Sequence, residues 1–88
     1  MTLRIVTDSS PHASTIRLIG RMQAEHIEHV NAELAGGRHR VVLDLDELTL
    51  ADVEAIRFLA ALERDGVELR HCPPFVREWI VRERNRHM

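Results

Sequence analysis

The sequence predicts an α/β domain built on a four-stranded, mostly parallel sheet. Three observations carry this. Val41–Leu62, VVLDLDELTLADVEAIRFLAAL, reads as a buried strand, a short acidic turn and an amphipathic helix. Gly36-Gly37 and Gly66 each close a stretch of helical periodicity, as a C-terminal glycine cap does. The elements follow the order strand, strand, helix, strand, helix, strand, helix, and that alternation suits parallel pairing. The 88 residues (1–88) are expected to form a single domain with one core.

Leu3 and Ile5 alternate with Arg4 and Val6 in a short first strand. Asp8–His12 has the chemistry of a turn, with an aspartate, two serines and a proline in succession. Ser14–Ile19 alternates again and is expected to stop at Gly20; the short connection favours a hairpin. Gln23–Ala35 is a helix with Ala24, Ile27, Val30 and Leu34 on one face. Val41, Val42, Leu43 and Leu45 form a nearly continuous apolar strand, which argues burial on both faces. In the helix Val53–Asp65, Ala55, Ile56, Phe58, Leu59 and Leu62 cover a wide apolar arc opposite Glu54, Arg57 and Arg64. Val67–Arg70 is a short strand, and Pro73-Pro74 opens a third helix with Phe75, Val76, Trp79 and Ile80 on its apolar face. Trp79 is expected in the core, and the polar tail Arg82–Met88 is expected to fray.

Composition excludes several classes. A net charge of −2 argues against a general nucleic-acid binder, and with no Tyr and few aromatics a base-stacking platform is lacking. All 12 basic residues are Arg, which fits either a GC-rich codon bias or selection for the planar guanidinium. No apolar run is long enough to cross a bilayer, and MTLRIVTDSS lacks the layout of a secretory signal, so a cytoplasmic, membrane-free protein is expected. Cys72 stands alone, so neither a disulfide nor a thiolate zinc cage is expected.

Leu18-Ile19-Gly20 before the first helix, Val41-Val42-Leu43-Asp44-Leu45 in the third strand, and Leu50-Ala51-Asp52 leading into Ile56–Leu59 carry a family resemblance. Over roughly Thr15–Ile80 the chain resembles the STAS domain (sulphate transporter and anti-sigma factor antagonist). CPPFVREWI also looks like the tail of small stand-alone members. The resemblance implies strand–helix units wound one way into a superhelix, with helices mainly on one face. It implies a bacterial, non-enzymatic signalling module without a cofactor, binding another protein such as a kinase-like or sigma-pathway regulator. In anti-sigma factor antagonists the serine of an Asp-Ser-[Ser/Thr]-Gly motif is phosphorylated by a partner kinase, and that charge controls partner exchange. Here the motif reads Asp52-Val53-Glu54-Ala55, and valine has no hydroxyl to modify.

The candidate partner-binding residues are therefore Asp44, Asp52, Val53, Glu54, Arg57 and Phe58, and homodimerisation through the same surface is a further expectation. For Asp52 and Glu54 two readings stand: a helix cap with a first-turn acid, or an acidic docking patch that no longer toggles. Asp44 either belongs to the site or caps turn amides. The alternative function is a small-ligand or nucleotide-binding domain of the same type, since a helix N-terminus suits phosphate; the two acids count against it.

Other constellations have plainer explanations. His26 and His29 have a spacing that can hold a metal, but they fall on the face opposite Ile27, Val30 and Leu34, so no metal site is expected. His71-Cys72-Pro73 invites a nucleophile reading, yet neither base nor pocket is marked, and a half-buried thiol before a helix suffices. Arg82, Arg84 and Arg86 with Glu83 read as a solvated helix end.

Overall fold

A computed structural model describes residues 3–35 and 40–86. Strands β1 (Leu3–Ser9), β2 (Ala13–Met22), β3 (Arg40–Asp44), β4 (Leu48–Ala51) and β5 (Glu68–Arg70) form one sheet. Helices α1 (Ile27–Ala35), α2 (Val53–Arg64) and α3 (Pro74–Arg86) connect or follow them, and a 3-10 turn, Ala24–His26, precedes α1. The α/β class and the parallel character both hold. β1 and β2 form the expected antiparallel hairpin, and β2–β3, β2–β4 and β3–β5 pair in parallel.

The strand order is β1-β2-β3-β5, with β4 also on β2. Among the described residues the sheet thus has five strands where four were expected. β3 pairs with residues 13–17 of β2 and β4 with Gly20–Met22, one after the other along β2. A tight turn separates them, in which the Leu48 N–H donates to the Leu45 carbonyl (3.1 Å) and the Gly20 N–H to that of Glu47 (3.0 Å). Gly20 does not end β2 as expected. It adopts φ 103°, and the register slips between Gly20 and Arg21, so the strand bends and runs on to Met22.

Period-2 alternation divides the sheet's faces. Ser14, Ile16 and Leu18 of β2 are buried, and the registers put Ile5, Leu43 and Leu69 on the same face. Against that face pack Val30 of α1, Ala55, Ile56 and Leu59 of α2, and Val76 and Ile80 of α3. All three helices therefore cover one face, as expected. The other face carries Arg4, Arg17, Arg40 and Arg70, all exposed. Ion pairs Arg17–Glu47 and Arg40–Glu68 lie on it, and Val42 is buried among these longer side chains.

Helix ends follow from local chemistry. Pro74 opens α3 at a position that needs no donor, and the Pro73 carbonyl accepts from Val76 and Arg77 (3.0 Å each). At the end of α2, Gly66 has φ 100°; its N–H donates to Glu63 and that of Val67 to Leu62, the Schellman pattern. The expected stop at Gly36-Gly37 lies outside the described residues. The tail differs from expectation: α3 stays helical to Arg86. Glu83, expected to be solvated, is 4 % exposed and accepts from Arg57 Nε (3.0 Å), which ties α3 to α2. Arg77 adds a bidentate pair to Glu63 (2.8 and 2.9 Å), joined by Arg84 (2.6 Å). Trp79, expected in the core, is instead 39 % exposed, because Val76, Ile80 and Glu83 occupy the inward stripe of α3.

Candidate functional site

The candidate site lies where β4 leaves the sheet and α2 begins. Asp52 is the N-cap, with extended backbone at φ −82° and ψ 176°. Its Oδ1 accepts from the Ala55 N–H (2.9 Å) and its Oδ2 from the Ala24 N–H (3.0 Å). One carboxylate thus caps α2 and also satisfies the first residue of the 3-10 turn ahead of α1. The backbone holds it in place, since the Asp52 N–H donates to the Met22 carbonyl (3.1 Å).

Two apolar side chains near this cap are exposed among charged ones. Leu50 is 51 % exposed and Val53 38 % exposed, although the core lies close by in sequence at Leu48 and Ala55. Arg21 pairs in register with Leu50 and is exposed as well. On the next turn Glu54 Oε1 accepts from Arg57 Nη1 (3.1 Å), so the two side chains form one exposed pair. The hydrogen bond and charge of Glu83 raise the Arg57 pKa above its ordinary value; the guanidinium stays charged and is held by two carboxylates.

The predicted residues separate into three groups. Asp52, Val53, Glu54 and Arg57 share the β4–α2 corner. Phe58 is half-buried and packs against the core instead. Asp44 belongs to the opposite sheet face, in register with Arg17 and Arg70. Its Oδ1 accepts from the Asp46 N–H (3.1 Å), capping the turn, and contacts His71 Nδ1 (3.2 Å). Burial raises its pKa, but the Asp46 amide, His71 and Arg17 outweigh this and hold it below the usual aspartate value. His71 adopts the left-handed φ of 54°, rare outside glycine, and that turn carries its ring back to Asp44. Leu50 is the exposed apolar residue near this corner that the sequence did not nominate. Its signal was the second strand hidden in Leu48–Ala51.

Two other constellations resolve structurally. His26 does not face solvent as expected: its side chain is mostly buried, and Nδ1 accepts from the Gln23 N–H (3.0 Å), closing the 3-10 turn. Burial is the leading influence on Cys72 and pushes its thiol up, Arg77 countering only in part. A reactive cysteine needs the reverse.

These features define a small α/β domain with a capped strand–helix junction at which Leu50 and Val53 are exposed. The chain belongs to the STAS family: the family model described as "Mlab, STAS domain" matches residues 5–82. No curated protein matches the chain. Among solved structures it is similar to the anti-sigma factor antagonist SpoIIAA in its unphosphorylated form (15 % identity, TM-score 0.65, covering 86 % of this chain and 78 % of that one). It is also similar to the STAS domain of an antisigma-factor antagonist from Rhodobacter sphaeroides (20 % identity, TM-score 0.57, covering 77 % and 83 %). A structure titled "Crystal Structure Analysis of Mglu" matches at 23 % identity and TM-score 0.63, covering 78 % of this chain; the chain spans only 19 % of that protein. At these identities the likenesses establish the fold.

Proposed function

We propose that this domain is a non-enzymatic regulatory module that docks another protein on its β4–α2 corner. Leu50, Val53, Glu54 and Arg57 make the contact, and Asp52 fixes the corner's shape. The observation that carries this reading is that Leu50 and Val53, on either side of the Asp52 cap, are both exposed. Apolar side chains ringed by charge are the usual make-up of an interface centre and rim. The partner offers an apolar patch with polar groups around it, as a kinase-like or sigma-pathway regulator in the cytoplasm would. Val53 stands where anti-sigma factor antagonists carry a phosphorylated serine, and residues 50–59 contain no hydroxyl. Docking here is therefore permanent rather than switched by phosphate.

The nucleotide reading finds less support. The Ala55 amide that an anion would use is already bonded to Asp52, and Glu54 adds repulsion. Calorimetry with a nucleotide panel is expected to show no saturable binding.

The test compares proteins captured from the native host by the wild type and by Leu50→Glu/Val53→Glu. A partner held by the wild type and lost in the folded variant supports the reading. A partner held equally by both overturns it.

A further inference from the structure

Among the described residues, the edge of the sheet at β1 is open in a way the docking corner does not explain: β1 ends the strand order and pairs with β2 alone. It is seven residues long, in unbroken register from Leu3↔Gly20 to Ser9↔Ser14, without the proline or bulge that usually blunts an edge. Its charges are placed unequally: Arg4 near one end and Asp8 near the other, both exposed, two residues either side of Val6.

We infer that a second copy of this chain pairs with β1, antiparallel and two-fold symmetric about Val6, to give one continuous sheet. In that register Leu3 faces Ser9, Arg4 faces Asp8, Ile5 faces Thr7, and Val6 faces its own copy. Every residue of the strand is paired, and both opposite-charge pairs fall on the face away from the helices. A shift of two residues either way sets Arg4 or Asp8 against Val6. A shift of one residue turns the two copies' helix layers to opposite sides of the sheet. The strand's own charge order thus selects one register. Ile5 and Thr7 extend the core-facing side of the sheet, and α1 already reaches that side through Thr7 Oγ1, which donates to Glu33 (3.0 Å). The interface is isologous, as a two-fold dimer requires. It shares no residue with the β4–α2 corner, so either proposal can fail alone.

Sedimentation equilibrium from micromolar to millimolar protein tests it. The wild type is expected to dimerise reversibly. Arg4→Glu and Asp8→Arg each turn both attractive pairs into repulsive ones and are expected to weaken the dimer at least about tenfold. The double variant Arg4→Glu/Asp8→Arg restores it. An equimolar mixture of the two single variants also restores it, as a heterodimer, which a loss of folding in either could not produce. A wild type monomeric throughout the range, or single variants that dimerise like the wild type, overturns the proposal.

Discussion

Asp52 shows how much one side chain settles at this corner. Its two oxygens bond amides from residues 28 and three positions away in sequence. Asp52→Ala is expected to cost about 1–2 kcal/mol in urea denaturation, a cap's usual worth with a second amide exposed. Asp52→Asn with Glu54→Gln separates cap from patch: weaker partner binding by calorimetry is expected, since Glu54 makes the contact, and unchanged affinity with a lower Tm would show that the acids act only by capping. Glu63 sets a pH dependence. Hydrogen bonding from Arg77, followed by burial, which opposes it, and the charges of Arg77 and Arg84 leave its pKa below the ordinary glutamate value. A lowered folded-state pKa gives stability that is present above the unfolded value, about 4.3, and is lost as pH falls through the folded one. Tm is expected to drop below about pH 4.5, and Glu63→Gln to flatten that drop while lowering neutral stability by about 1–2 kcal/mol. Sequence could nominate Asp52 because capping is local. It could not find the partner of Glu83, because Arg57 lies 26 residues away and nothing in the pattern of α3 marks a buried charge.

At the scale of elements, periodicity located every helix and most strands. Ile27, Val30 and Leu34, and Ala55, Ile56 and Leu59, face the core as their spacing requires. β4 was illegible for a physical reason: four residues are too few for alternation to stand out, and its pairing depends on a bulge at Gly20 in another strand. That bulge also left Leu50 unrecognised. The glycine signals divide in the same way. Gly66 terminates α2, whereas Gly20 bends a strand, and composition alone does not distinguish the two. A Cβ at Gly66 would meet nothing within 4 Å, so Gly66→Ala isolates the backbone cost of φ 100°. It is expected to lower stability by about 1–2 kcal/mol by thermal melting without disturbing the packing of α2. The α2–α3 clamp predicts that Arg57→Ala lowers Tm more than Glu54→Gln does, since Arg57 bonds a buried carboxylate and Glu54 is exposed.

For the whole molecule, the helices on one face and the charged sheet on the other leave separate surfaces for separate contacts. The resemblance to STAS domains was legible because the β3–α2 junction keeps its hydrophobic frame and its aspartate. The candidate corner was legible only in part: Asp44 lies on the other sheet face, Phe58 packs against the core, and the exposed Leu50 was not nominated. The central claim is that the β4–α2 corner is the docking surface, and site-specific crosslinking in the native host tests it most directly. A photoreactive amino acid at position 53 is expected to capture one partner polypeptide, while the same group at position 70, exposed on the opposite sheet face, is not. No adduct from position 53, or the same adduct from both positions, would contradict the account.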